Sequence, residues 1–456
     1  MESKIEIFNS ILEKIENKVD YADIRAGIGT SSSILMKDSK IETIETGNSN
    51  GARIRVLNNG AWGFSYTNDL NKLDEIVETA IKISESLKGD IELANVDPVK
   101  DKVNTPRKIP INDVSTEEKK ELISEVDKSA QVGKVISTTI NYRDSEIKSV
   151  FLNTEGSEII QDTSRVTLSL NTVASNGELI QMSHGSLGGV KGYEVLEDAD
   201  IEKFGRKNGD KATRLLDANK PPSGKFNIIA DNELTGVFIH EALGHASETD
   251  LILQNDSVLK GKLGETIGSD LVNIIDDPTN KDGFGYYEYD VEGVKTNKNQ
   301  LVKNGKLVSL LSSRETAGKL GLKPSGNARS SISDQPIIRM SNTYLEPGDM
   351  EFEELVEDIN DGIYLKGSRG GQVDTGKGIF QFNASEAYTI KNGEIGELLR
   401  DVSLSGNTLE TLKNVDAIDN SFKLSVGYCG KDGQIAPVGD GGPQTRILNA
   451  TVGGSS

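Results

Sequence analysis

Cysteine is almost absent from this chain of 456 residues: Cys429 stands alone, which excludes an intramolecular disulfide and suits a reducing, cytoplasmic setting. Long apolar runs are missing too. No stretch approaches the roughly 18 apolar residues that a membrane span requires. The opening residues place Ile5, Phe8, Ile11, Leu12 and Ile15 among Glu6, Glu13, Lys14 and Glu16, so they read as an amphipathic helix rather than a secretory signal. Lysine and arginine, 51 against 71 aspartates and glutamates, are outnumbered and nowhere clustered. The resulting net charge of −20 argues against direct nucleic-acid binding and against an anionic membrane as partner. Histidine is scarce as well. There are only three, and two of them lie close together.

What is present is ordinary for a globular protein: 35% hydrophobic and 27% charged residues, with 47 glycines for turns. The length accommodates more than one core, and two domains are expected. Ala22–Ala26, Ser33–Met36 and 41–45 read as strands, and Ala52–Leu57 and Ala61–Tyr66 form a hairpin about Asn58-Asn59-Gly60. Helices are expected over 70–88 and 116–132, and further hairpin turns at Asn176-Gly177, Asn304-Gly305 and Asn392-Gly393. Near Pro221-Pro222-Ser223-Gly224 the composition shifts from an α/β half with longer helices to a strand- and glycine-rich half. The expected fold is therefore α+β, with an N-terminal α/β domain over 1–220 and a C-terminal, antiparallel β-rich domain over 221–456.

The most informative segment is Phe238-Ile239-His240-Glu241-Ala242-Leu243-Gly244-His245. It follows a strand, Phe226–Ala230, and an N-cap pair, Asp231-Asn232, so it falls on a helix. Neutral imidazoles are good zinc ligands, and a carboxylate beside one of them can accept a proton from water during hydrolysis. The spacing is one residue longer than in the common zinc-peptidase helix. At about 100° per residue, positions five apart diverge by about 140°, so both imidazoles reach one ion only if the helix widens into a π-type turn or ends near Gly244. Chance occurrence of His-Glu on a surface helix is weakened by Leu234, Val237, Phe238 and Ile239, which direct the helix inward. Burying His240, Glu241 and His245 unpaired would be costly.

A catalytic zinc site wants three protein ligands, so a third must come from elsewhere. Glu248, Asp250, His184 and Cys429 are candidates, and zinc's preference for nitrogen and sulfur favours Cys429. A small buried hydrophobe is the competing reading of that cysteine. Glu248 or Asp250 could instead orient an imidazole N–H, or be surface charges.

Taken with Glu248 and Asp250, the His240–His245 motif resembles the TldD/PmbA metallopeptidase family, the modulators of DNA gyrase, and specifically its TldD-like branch, since PmbA-like relatives lack the motif. Tyr21–Arg25, Gly60–Phe64, Arg339–Thr343, Gly370–Asp374, Cys429–Gln434 and Thr451–Gly454 extend the likeness over most of the chain. The resemblance implies one Zn2+ per subunit held by His240, His245 and Cys429, with Glu241 as general base. It also implies a barrel-like C-terminal domain carrying the metal-site helix, cleavage of unfolded or extended peptides, and a homodimer or a heterodimer with a motif-lacking PmbA-like paralogue. Competing functions are a Cys429-dependent thiol hydrolase and a non-catalytic peptide-binding subunit with a structural metal.

Two patterns mislead. Gly371–Gly378 nearly spells a phosphate-binding loop, but glycine replaces its Ser/Thr and a strand follows, so nucleotide binding is rejected. Gly47-Asn48-Ser49-Asn50-Gly51 fits a nucleophile elbow yet lies between strands and reads as a turn. The glycine-rich stretches Gly367–Gly378 and Gly433–Gly442 are either tight loops or backbone open to pairing with an extended peptide.

Overall fold

The computed structural model describes residues 2–454. Seven strands from the first part of the chain build one sheet: β1 (Tyr21–Lys37), β2 (Lys40–Asn58), β3 (Ala61–Thr67), β4 (Lys100–Asn104), β5 (Val135–Asn153), β6 (Glu158–Ser175) and β7 (Ile180–Gly189). Their order is β3-β2-β1-β5-β6-β4, with β7 also on β6. The strands β1, β2, β5 and β6 are unusually long, roughly 55–65 Å at about 3.3 Å per residue, so one sheet serves two cores. At one end Ile24, Ile54 and Val150 pack under helices Ile5–Ile15 and Leu73–Ser86. At the other, Ile34, Ile140 and Leu168 pack under Thr116–Ala130 and Ile201–Leu215.

The segments read as separate strands at Ala22–Ala26 and Ser33–Met36 are thus one strand, because Gly27 to Ser32 stay in unbroken register with β5. Gly47–Gly51 is likewise not a turn but the interior of β2, paired with Gly27–Ser31. Pairing on both sides overrides the weak strand preference of glycine and serine there.

The rest of the chain forms a closed barrel and a flanking sheet. β8 (Gly224–Ala230) pairs with Asp361–Asp374 and Thr445–Gly454, and the ring closes through Val402–Asn407 and Ile379–Lys391. The β8 pairing with Asp361–Asp374 is parallel, and the other pairings of the ring are antiparallel. A six-stranded sheet ends with Asn342–Leu345, Gln434–Gly442 and, at its edge, Lys423–Lys431. The near-phosphate-loop segment is the hairpin between two barrel strands, where Lys377 pairs with Asp374 at 2.7 Å.

Between barrel and flanking sheet runs helix Asn232–Phe238. Asp231 caps it, accepting from the amides of Leu234 and Gly367 at 2.9 Å each. Leu234, Phe238, Ile239 and Leu243 fill the core shared by both sheets, and the Phe238 ring lies 5.1 Å from that of Phe380. Gly236 makes the approach possible, since a Cβ there would stand 2.3 Å from the Gly441 nitrogen.

Burial pushes the Asp231 carboxyl up to about 6. A folded-state value raised above the unfolded one gives stability that is complete below about pH 4 and lost as pH rises through about 6. Asp231→Asn keeps a side-chain oxygen for both amides and carries no charge. Denaturant melts at pH 4 and pH 7 are expected to show the variant gaining about 2 kcal/mol on the parent across that interval. A pH-independent difference would refute the burial of an ionisable carboxyl at this cap.

Candidate metal centre

Helix Asn232–Phe238 does not continue regularly. Ile239–Gly244 is a π-helical turn, in which the His245 amide donates to the His240 carbonyl five residues back. The widening is what brings the two imidazoles together: their ring centroids are 5.4 Å apart and nearly perpendicular, at 86°. Gly244 keeps ordinary right-handed helical angles, φ −55 and ψ −56, so its role is not an unusual backbone conformation. A Cβ there would sit 2.0 Å from the Met340 sulfur. Gly244 lets the widened turn settle against Met340. A 3₁₀ turn, His245–Ser247, follows.

Cys429 reaches the same point from the edge strand Lys423–Lys431. Its Sγ is 3.2 Å from His245 Nε2, and ligand atoms of His240, His245 and Cys429 all lie within 4.8 Å of one another. All three are well covered, Cys429 being only 5% exposed. His240 Nδ1 is buried without a hydrogen-bond partner among the described residues. Burial alone would raise the Cys429 pKa, but His240 and His245 outweigh it and bring it down to about 5, so a thiolate faces the imidazoles at neutral pH. His240 and His245 are raised in turn despite burial, chiefly by Cys429 for the first and by Glu248 and Cys429 for the second. Two nitrogens and a thiolate converging in a covered site, with positive charge drawn toward their centre, is a donor set that fits zinc.

The surroundings hold this set in place. Glu248, fully buried, accepts from His245 Nδ1 at 3.0 Å and from Lys431 Nζ at 2.9 Å. Burial would raise its pKa, yet His245 and Lys431 keep it below the usual carboxylate range. Asp250 does not touch an imidazole; it pairs with Lys431 at 2.6 Å. Glu241 is placed differently from all of these. Its side chain is 38% exposed and its Oε2 lies 3.9 Å from His245 Nε2, so it stands beside the donor set and open to solvent.

His184 is not brought to the cluster. It lies exposed on β7, with Nδ1 3.0 Å from Asn171 Oδ1. Two residues escaped the sequence reading. Lys431 falls within Cys429–Gln434, but only the structure pairs it with Glu248 and Asp250. Asp440 on Gln434–Gly442 has its carboxyl pushed up to about 6 by burial, while His240 pulls the other way and Glu233 and Glu241 add to the rise. Nothing in its Gly439-Asp440-Gly441 context separates it from a turn aspartate.

Family models of the PmbA/TldA metallopeptidases match in chain order: domain 1 over 22–84, the central domain over 109–216 and the C-terminal domain over 223–454. The three models together place the chain in a family of metallopeptidases. The chain belongs to the PmbA/TldA family, also written PmbA/TldD. It is 59% identical to a metalloprotease of Methanothermobacter thermautotrophicus, each chain being covered in full, and 32% identical to a zinc metalloprotease TldD homolog of Saccharolobus solfataricus over 98% of this chain and 100% of that one. Among solved structures it is similar to a modulator of a DNA gyrase from Thermotoga maritima, with TM-score 0.82 at 24% identity, covering 98% of this chain and all of the other. That likeness is one of fold. None of the described helices is long and apolar enough to cross a membrane.

Proposed function

We propose that this chain is a zinc-dependent peptidase acting on unfolded or extended peptides, with one zinc per subunit held by His240, His245 and Cys429 and with Glu241 as general base. The observation that carries the reading is the convergence of three zinc-type donors within 4.8 Å beside a solvent-facing carboxylate that is not one of them. When bound, zinc supplies Lewis acidity for the scissile carbonyl and acidifies water. Glu241 accepts the proton of the attacking water and passes it to the leaving amine nitrogen. Glu248 accepts from His245 Nδ1 and so directs Nε2 toward Cys429, while Lys431 compensates the buried Glu248 charge. Asp440, whose carboxyl burial pushes up to about 6, lies within electrostatic reach of His240.

All three donors come from residues after 220, so we assign the chemistry to a domain over 221–456 and a supporting role to 1–220. Lys423–Lys431 stands at the end of its sheet, which supports an extended peptide pairing by main chain with little side-chain preference. We place the enzyme in the cytoplasm, where the Cys429 thiolate persists, as a homodimer or paired with a PmbA-like paralogue lacking the motif. Digestion of a mixed pool of unfolded peptides is expected to stop on chelation and to return with added zinc. Chelator-resistant cleavage with an inactivated, alkylated Cys429 would transfer the chemistry to the thiol.

A further inference from the structure

One cavity among the described residues is lined by none of the three metal-type donors. It measures about 430 Å³ and lies between the sheet formed by β1, β2, β5 and β6 and the loops and hairpin of the later half, with Arg25, Arg165, Arg329 and Arg339 in its wall. Arg53 stands directly opposite Arg25 in the β1–β2 register. Like charges in that position repel, whereas two register positions along, on the same face, Asp23 is opposite Arg55 and the two form an ion pair at 2.6 Å.

Among the described residues none of the five arginines makes an ion pair; their partners are carbonyls and one hydroxyl. Arg25 donates to Ser330 O at 2.9 Å, Arg53 to Ser330 Oγ at 2.6 Å and Asp334 O at 2.7 Å, and Arg165 to Tyr286 O at 3.3 Å. Arg329 donates to Met340 O and Pro437 O, and Arg339 to Gln434 O and Cys429 O. The buried Nε atoms of Arg53, Arg165 and Arg339 have no partner. Burial pulls Arg25 and Arg165 down to about 10 and Arg53 to about 9, values that leave all three charged at neutral pH. One carboxylate lines the wall, Asp290. Its oxygens are taken by the amides of Glu292, Val294 and Ala328, and burial lifts it to about 7, so it neutralises the cluster only in part. Uncompensated guanidinium charge held away from water is costly, and an anion with paired oxygens relieves it.

The wall also identifies the class of anion. Gln434 to Pro437 belong to the strand that faces Cys429, with Ala436 its direct register partner, and Arg339 binds the Cys429 carbonyl. The cavity thus backs onto the hairpin that carries the thiol. Resting on the peptidase reading above, we propose that this cavity is a carboxylate-binding subsite for the peptide substrate, with Arg25 and Arg165, whose remaining guanidinium donors are unclaimed, receiving a C-terminal or side-chain carboxylate. The chain's net charge of −20 does not oppose this, because exposed charges beyond about 8–10 Å are screened at physiological salt.

Binding separates this subsite from the chemistry. Calorimetry on the zinc-loaded full chain carrying Glu241→Gln would compare three probes: an acetylated alanine pentapeptide acid, its C-terminal amide, and that amide with one internal glutamate. At least one carboxylate probe is expected to bind about tenfold tighter than the neutral amide, and which one does so distinguishes the C-terminal from the side-chain source. Arg25→Gln and Arg165→Gln are expected to erase the preference while leaving amide affinity intact, which also reports that each variant is folded. In the parent, raising salt from about 50 to about 500 mM should weaken the acid and spare the amide, a readout that needs no arginine variant. Equal affinities, no binding of any probe, or a preference surviving both substitutions would overturn the proposal. Inorganic phosphate binding without any acid-over-amide preference would assign the cavity to a free anion and overturn it too. Loss of cleavage chemistry, by contrast, leaves these affinities unchanged.

Discussion

Glu241→Gln is expected to leave about one zinc per subunit in place and to lower peptide cleavage by about 10²- to 10⁴-fold, the range for removing a positioned general base. The asymmetry follows from geometry. Glutamine is nearly isosteric with glutamate, so the π turn and both imidazoles keep their positions, and the site loses only its capacity to accept a proton. The residue is not among the three converging donors, and its side chain, 38% exposed beside His245, faces solvent from which water can enter. Metal analysis and single-turnover cleavage on one preparation check both halves. Undiminished cleavage would remove Glu241 from the mechanism, whereas loss of metal would make it a ligand.

Cys429→Ala is expected to do the reverse at the first step, cutting bound zinc at least about tenfold, as fewer than three protein donors rarely hold zinc. The thiol does more than fill space. At a pKa of about 5 it is a thiolate at neutral pH, and it is the only anionic member of the donor trio. Alanine leaves two imidazoles, one of them still anchored by Glu248, with nothing to draw an ion toward them. Competition against a colorimetric zinc chelator measures the loss, and His184→Ala, far from the cluster in bonding terms, should match the parent. Full zinc retention by Cys429→Ala would require a different third donor.

Much of this centre is legible in the residues because its demands are local. Two histidines five apart on one helix can share an ion only if the helix widens, and the π turn at Ile239–Gly244 meets that demand. Cys429 could be selected by ligand chemistry, though its approach from an edge strand could not. The choice between Glu248 and Asp250 is undecidable in sequence, since both follow the motif closely; Lys431, 181 residues beyond Asp250, pairs with both carboxylates, and only Glu248 also reaches His245. The arginine-lined cavity was hidden for a related reason. Arg25, Arg165, Arg329 and Arg339 are far apart in the chain, and only strand register and the packing of the two halves collect them, with Arg53 brought opposite Arg25. Strand lengths were underestimated where glycine and serine interrupt β1 and β2, because pairing partners rather than intrinsic preference hold those segments extended.

The edge strand Lys423–Lys431 has a mechanical consequence. Cys429 and Lys431 are two residues apart and therefore project from the same face of that strand. One contacts His245 directly, and the other contacts the carboxylate that steadies it. Lifting the strand withdraws the thiolate and strands a buried charge at Glu248 in the same motion, so release of the strand and opening of the donor set are a single event. The strand acts as a latch, closed by the same contacts that arrange the imidazoles.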